Sequence, residues 1–114
     1  MTARRQALGA QGEAMAADWY EANGYEVVAR NWRCRDGEID LIVRRARTIV
    51  FCEVKTRTTA AFGSPAEAVT RAKRERLRRL AAIWLEESPL RASGIRFDVA
   101  AILAGQLDII EGAF

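Results

Sequence analysis

The sequence contains no histidine, only two cysteines and only two prolines among its 114 residues. Without histidine, catalysis by a Ser-His-Asp or Cys-His set and zinc ligation through imidazole are excluded. Any catalytic chemistry must therefore use carboxylates, lysine, water or a metal. Cys34 and Cys52 lack paired spacing, and a domain of this size does not need disulfides. We expect both to be free thiols in a cytoplasmic protein.

Long hydrophobic runs are also missing. No uninterrupted apolar stretch approaches the roughly 20 residues that a membrane-spanning helix needs. The first residues, Met1 to Arg5, lead into no apolar segment of the kind that a secretion signal requires. We therefore expect a soluble protein that is not exported. Half of the residues are hydrophobic, which permits one compact core, so we predict a single domain over residues 1–114.

The hydrophobic pattern predicts two helices and five strands in the order α-β-β-β-α-β-β. The predicted helices cover residues 6–23 and 65–87, and the predicted strands cover residues 25–34, 38–43, 48–57, 95–103 and 107–110. Leu8, Met15, Trp19 and Ala22 are predicted to form the buried face of the first helix. Glu13 then lies at the margin of that face, where it is either solvated or leans over an adjacent site. Thr70 is a candidate cap that would split the second helix.

Acidic side chains interrupt two otherwise apolar strands, and a buried carboxylate is costly unless a cation or hydrogen bonds compensate it. If the hairpin between these strands turns at Ala46 and Arg47, residues whose numbers sum to 93 are opposite, and Asp40 faces Glu53. Adjacent strands lie about 4.8 Å apart, so the two carboxylates could share one Mg²⁺ or Mn²⁺. Lys55, on the same face as Glu53, would hold or deprotonate a water, or neutralise charge on a phosphate. This arrangement indicates hydrolysis of a phosphodiester.

A structural interpretation of the same residues is also open. In it, Glu53 and Lys55 form a strand-end ion pair, and Asp40 caps a turn. For Asp98, in the fourth strand, we expect a pairing with an internal arginine or the closing of a turn rather than metal binding. The terminal ring of Phe114 is a candidate to pack back onto the core.

Basic side chains are concentrated in the second helix, which holds six of the 18 in the chain. Arg71, Arg74 and Arg78 are predicted on its outer face, where they would contact nucleic-acid phosphates or be solvated. Lys73 lies near the helix start, which we expect close to the end of the third strand. There it would either reach the scissile phosphate or cover the core with its methylene stem. Arg57, on the same face of the third strand as Lys55, is a further candidate contact.

Several motifs closely resemble the bacterial YraN-like family. They are Gly-Glu-Ile-Asp-Leu-Ile at residues 37–42, Val-Phe-Cys-Glu-Val-Lys-Thr-Arg at 50–57, Phe-Gly-Ser-Pro-Ala-Glu-Ala-Val at 62–69, Arg-Phe-Asp-Val at 96–99 and Gly-Glu at 12–13. The resemblance therefore extends over nearly the whole chain. One departure is Cys52, at a position where valine is more usual, and we interpret it as a core variation without a redox or ligand role.

That family is similar to the PD-(D/E)XK nuclease superfamily and, within it, to archaeal Holliday-junction resolvases. The resemblance implies a restriction-endonuclease-like α/β core, with a central mixed sheet of about five strands flanked by helices. It also implies roles for single residues. Asp40 would be the motif aspartate, Glu53 and Lys55 the E-x-K pair, and Glu13 an accessory metal-site carboxylate.

The leading functional hypothesis is a Mg²⁺- or Mn²⁺-dependent deoxyribonuclease, with branched or junction DNA as a candidate substrate. A two-fold homodimer would place two such sites across a junction. The alternative is a non-catalytic nucleic-acid-binding module with the same fold, because the superfamily also contains members that bind without cutting. A third hypothesis is a carboxylate-metal hydrolase of a small phosphorylated molecule.

Overall fold

Five strands form one mixed sheet with a helix on each face in the computed structural model, which describes residues 3–61 and 63–114, with side chains from Ala7 onward. The elements are α1 (Ala3–Ala22), β1 (Glu26–Cys34), β2 (Gly37–Arg45), β3 (Thr48–Arg57), a 3-10 helix (Pro65–Ala68), α2 (Arg71–Glu87), β4 (Gly94–Leu103) and β5 (Gln106–Ile110). This order confirms the predicted α/β fold class. Met1, Thr2 and Phe62, which contribute to the N-terminal and motif predictions, lie outside the described residues. Within the described ranges, no helix is long and apolar enough to cross a membrane.

The strands lie side by side in chain order, β1-β2-β3-β4-β5. β1, β2 and β3 form an antiparallel meander, β3 and β4 are parallel, and β5 returns antiparallel to β4. Parallel neighbours cannot be joined by a tight turn, so the chain between β3 and β4 must cross over one face of the sheet. α2 is that crossover, and it places its N-terminal half over the site described below.

The β2–β3 hairpin has the predicted register. Leu41 pairs with Cys52, and Arg45 pairs with Thr48, so paired numbers sum to 93 throughout the hairpin. The turn falls at Ala46, which adopts a left-handed φ of 54°. Ile49 and Phe51 of β3 pack toward α2, whereas Val50 and Cys52 pack toward α1. The prediction that β3 is a central strand covered on both faces is therefore confirmed.

The buried face of α1 differs from the prediction. Leu8, Met15 and Trp19 are only partly buried, and Ala22 is exposed. The buried residues are instead Gly12, Ala16, Ala17 and Tyr20. Small residues allow the helix backbone to approach the sheet closely, which a stripe of large side chains would prevent. Because Glu13 precedes Ala16 by three residues and Ala17 by four, it belongs to this sheet-facing stripe rather than to its margin.

The start of α2 is split as the sequence suggested. Thr70 caps the helix through its Oγ1, which accepts a hydrogen bond from the Lys73 backbone nitrogen at 3.4 Å. The preceding 3-10 turn is closed separately, because the Glu67 Oε2 accepts a bond from the Ser64 nitrogen at 3.0 Å. The break shortens α2 at its N-terminus and leaves Lys73 in its first turn.

Asp98 is a fully buried carboxylate on β4. It accepts hydrogen bonds from the Tyr20 hydroxyl at 2.6 Å, from Arg96 Nε at 2.8 Å and from the Gly112 nitrogen at 3.0 Å. Both expected roles, pairing with an arginine and closing a turn, are confirmed. The closed turn directs the ring of Phe114 back onto the core, as predicted, where it stacks on Phe97 with centroids 5.3 Å apart.

Candidate functional site

The pairing of β2 with β3 ends at Leu41 and Cys52. Asp40 lies just beyond this last pair, one residue before Leu41 in the chain. Its Oδ2 accepts a hydrogen bond from the Val54 nitrogen at 2.9 Å, so the side chain bonds the backbone of β3. The carboxylate of Asp40 is thereby fixed beside Glu53, the residue that the predicted register places opposite it.

Three carboxylates converge at this point. Glu13 from α1 and Glu38 and Asp40 from β2 each offer an oxygen, and these three oxygens lie within 4.8 Å of one another. Glu38 and Asp40 share a face because side chains alternate along a strand. Glu13 reaches them because it lies on the sheet-facing stripe of α1. Carboxylate oxygens at this spacing are suitable ligands for one hard divalent cation.

Glu38 is a member of the cluster that the sequence reasoning missed. The signal for it was its position two residues before Asp40, on the same face of an apolar strand. Its carboxylate also accepts a bond from Arg33 Nε at 3.0 Å, across the β1–β2 turn. Glu38 is thus held in place by a partner on the neighbouring strand.

Glu53 and Lys55 form an ion pair on β3. The Lys55 Nζ lies 3.2 Å from the Glu53 Oε1, and the side chains of Lys55 and Glu53 are 29% and 18% exposed, respectively. The ion pair agrees with the structural interpretation of Glu53 and Lys55, whereas Asp40 accepts its bond from Val54 of the neighbouring strand and does not cap a turn. That interpretation leaves Glu13 and Glu38 without a reason to converge on the same point. The role of Glu53 as a metal ligand stays a prediction.

All of these β-strand groups face one cavity of about 210 Å³. It is lined by Glu38, Asp40, Glu53, Lys55, Lys73, Arg76, Leu77 and Leu80. The sheet contributes the carboxylates and Lys55, whereas α2 contributes two further cations. Lys73 lies where the sequence placed it, near the end of β3. Arg76 was missed, although it lies one helical turn after Lys73 on the same side of α2.

Negative charge is in excess around Asp40. Burial is the main cause that raises the pKa of this carboxyl to about 7, and the nearby charges of Glu53, Glu13 and Glu38 act in the same direction, against the lowering effect of the Val54 hydrogen bond. Lys55 pairs with Glu53 rather than with Asp40. Burial and the neighbouring carboxylates therefore disfavour the ionised form of Asp40 in the metal-free protein.

We expect Asp40 to lower the stability of the metal-free protein, relative to an Asp40→Asn variant, as the pH rises from about 4 to about 7. A folded-state pKa of about 7 for Asp40 exceeds its unfolded value of about 3.9, so the folded state binds the proton more tightly in this window. Above the folded pKa both states are ionised and the loss is complete. Urea denaturation of the parent and of Asp40→Asn at pH values between 4 and 9 isolates the effect. Equal pH slopes in the two proteins would contradict it.

The other predicted nucleic-acid contacts lie elsewhere. Arg57 lines a separate cavity of about 180 Å³ beside α1. Arg71 is exposed and pairs with Glu75 at 3.4 Å. Arg74 departs from the predicted outer face, because it is partly buried and its Nε donates to the Val69 carbonyl at 3.1 Å. Arg78 is exposed, with its guanidinium 5.3 Å from the centre of the Phe114 ring.

Comparison with known proteins identifies the family. Residues 12–102 match the family described as "Uncharacterised protein family UPF0102". A UPF0102 protein of Beutenbergia cavernae is 59% identical over 99 residues, which cover 87% of this chain and 84% of the relative. One of Nocardia farcinica is 58% identical over 99 residues, covering 87% and 78%, and one of Mycolicibacterium vanbaalenii is 47% identical over 110 residues, covering 96% and 91%. The chain therefore belongs to the UPF0102 family.

Proposed function

We propose that this protein is a metal-dependent nuclease that hydrolyses DNA phosphodiesters. The observation that carries the proposal is the convergence of Glu13, Glu38 and Asp40 within 4.8 Å. Two of these carboxylates, Glu38 and Asp40, also line a cavity with Lys55. The resemblance of the motifs to the PD-(D/E)XK nucleases supports it. We also propose that the protein is cytoplasmic and has free thiols. Its substrate would be junction DNA, and it would act as a homodimer.

The residues fit a hard divalent cation. The converging groups are all carboxylates, which are the ligands that Mg²⁺ and Mn²⁺ prefer. Burial, followed by the charge of Glu53, raises the pKa of Asp40 to about 7, and a bound cation would favour its ionised form. Glu13, Glu38 and Asp40 would hold the ion, with Glu53 as the further predicted ligand. When bound, it would polarise a phosphate oxygen and acidify a coordinated water.

The chain's own cations would act on the phosphate. Lys55, held 3.2 Å from Glu53, would donate a hydrogen bond to the attacking water and orient it. Lys73 and Arg76, which reach the same cavity from α2, would neutralise charge on the non-bridging phosphate oxygens. The water oxygen would bond to phosphorus as the ester P–O bond breaks. One proton of that water would pass through solvent to the leaving oxygen, and the other would stay on the new phosphate oxygen or be released to solvent.

A non-catalytic nucleic-acid-binding module is the second candidate. The observation that favours it is the Glu53–Lys55 ion pair, which occupies the lysine that catalysis would use. In this case the cations of α2 would bind phosphates while the carboxylates only shape the fold. The two candidates differ in whether the DNA is cut.

The test is cleavage of duplex, single-stranded, flap and four-way DNA with Mn²⁺, Mg²⁺ or a chelator. We expect Glu53→Gln and Lys55→Met to lower metal-dependent cleavage by roughly 10²- to 10³-fold, because the first removes a predicted metal ligand and the second removes the cation that orients the attacking water. Asp108→Asn, at an exposed position on β5, is the matched control and should cleave like the parent.

Three results would distinguish the hypotheses. Cleavage that needs metal and is lost in both site variants supports the nuclease. Binding of DNA without cleavage by the parent, with unchanged affinity in Glu53→Gln, supports the binding module. Hydrolysis of a small phosphate ester by a protein that binds no nucleic acid supports the third hypothesis.

A further inference from the structure

Gly12 lies at a point where α1 passes close to side chains of the sheet. It is buried in the middle of the helix, over the paired residues Thr56 of β3 and Ile102 of β4. A Cβ at position 12 would overlap the Thr56 Oγ1 and would lie 3.2 Å from the Ile102 Cδ1. The close packing therefore depends on the absence of a side chain at position 12.

Helix stability does not explain this glycine, because glycine is among the poorest helix formers. Gly9, one turn earlier in α1, provides a contrast, because a Cβ added there would meet no atom within 4 Å. Thr56 is unusual as well. Its Oγ1 is buried without a hydrogen-bond partner among the described residues, an arrangement that native proteins rarely keep without a reason.

The residue after Gly12 is Glu13, the one carboxylate of the cluster that comes from α1. A helix moves as a rigid element, so any displacement of α1 away from Thr56 would carry Glu13 away from Glu38 and Asp40. Ligand oxygens tolerate only small displacements around a shared cation. The distance between α1 and β3 thus determines whether Glu13 reaches Glu38 and Asp40.

We propose that Gly12 is a positioning residue, which seats α1 against Thr56 so that Glu13 joins the carboxylates of β2. This inference rests on the proposed function for its metal, but the position of the helix can be tested without it. Gly12 itself contributes no ligand atom.

The experiment compares Mn²⁺ affinity, measured by electron paramagnetic resonance, across a small set of variants. Gly12→Ala is expected to weaken binding roughly tenfold or more. Gly9→Ala, which makes the same change in the same helix in open space, should match the parent within about twofold. Adding Thr56→Ala to Gly12→Ala removes the overlapping atom and should restore affinity. Adding Thr56→Val, which keeps an atom in that place, should not.

Crystal structures of Gly12→Ala and of Gly12→Ala with Thr56→Ala separate this inference from the proposed function. If the parent binds no Mn²⁺, the metal hypothesis fails, and the inference stands only if Glu13 leaves the cluster in the single variant and returns in the double. If Gly12→Ala does not fold, a folded double variant that contains Thr56→Ala supports the contact. Parent-like Mn²⁺ affinity in Gly12→Ala, or equal rescue by Thr56→Ala and Thr56→Val, would overturn it.

Discussion

Asp40→Asn is expected to lower metal-dependent DNA cleavage by roughly 10³-fold or more, while raising the free energy of unfolding at pH 8 by on the order of 2 kcal/mol. The loss follows because asparagine removes a charged ligand from the three-carboxylate cluster. The gain follows because the pKa of Asp40 is raised to about 7, so its ionised form is disfavoured in the folded, metal-free protein. Asparagine still offers an oxygen to the Val54 nitrogen, which keeps the β2–β3 junction intact.

The measurement pairs a cleavage assay with urea denaturation in the presence of a chelator. Added Mn²⁺ should raise the stability of the parent, because it binds only the folded state, and should have little effect on Asp40→Asn. Asp108→Asn serves as the control, since it removes an exposed carboxylate without touching the cluster. An Asp40→Asn protein that is both inactive and less stable than the parent would show that Asp40 serves the fold rather than a metal.

A variant that loses cleavage but gains stability would show that the carboxylate cluster lowers the stability of the metal-free protein. Glu13, Glu38 and Asp40 approach within 4.8 Å of one another, and like charges at this distance repel. Part of this repulsion is offset because Glu38 bonds Arg33 and Glu53 pairs with Lys55. Asp40 has a backbone donor, and the remaining repulsion contributes to its raised pKa.

The β2–β3 hairpin could be predicted because its constraints are local. Two apolar strands separated by a short basic turn permit few registers, and a slip by one residue would move every side chain to the opposite face. The register fixed at Leu41 and Cys52 then places Asp40 beside Glu53 without any knowledge of the rest of the fold. Thr70 was visible for the same reason, because a cap acts within its own helix.

The contribution of α1 could not be predicted in the same way. Hydrophobic periodicity weights large side chains, so it selected Leu8, Met15 and Trp19, whereas the helix packs through three small residues and Tyr20. That choice depends on how closely the sheet can be approached, which is a tertiary property. The prediction therefore chose the wrong buried face of α1 and placed Glu13 at the edge of that face.

The positions of the α2 arginines also depend on contacts with residues that are distant in the sequence. The helical wheel alone placed Arg74 and Arg78 on an outer face. The ring of Phe114, brought back by the turn that Asp98 closes, lies 5.5 Å and 5.3 Å from their guanidinium carbons. Residues far apart in the sequence meet here, and no local pattern records that meeting. The cations of α2 that line the carboxylate cavity are instead Lys73 and Arg76.

Asp98→Ala is expected to destabilise the protein by about 3–5 kcal/mol. The carboxylate is fully buried and accepts bonds from Tyr20, Arg96 and Gly112. Burial raises the pKa of the Tyr20 hydroxyl, so it stays a donor, and the bond to Asp98 raises the pKa of Arg96, so it stays charged. Alanine would leave these donors without their shared acceptor.

Asparagine at position 98 should rescue little of this loss, which distinguishes a charge-specific network from simple packing. Every partner of Asp98 is a donor, and an amide would turn two hydrogens of its own toward them. Denaturant unfolding of Asp98→Ala, Asp98→Asn and Asp108→Ala, the exposed control, makes the comparison. A nearly neutral Asp98→Asn would mean that shape, and not acceptor charge, holds α1, β4 and the C-terminal turn together. Tyr20 and Glu13 belong to the same helix, α1. Loss of the bond from Tyr20 to Asp98 is therefore also expected to shift α1 and with it the position of Glu13 in the carboxylate cluster.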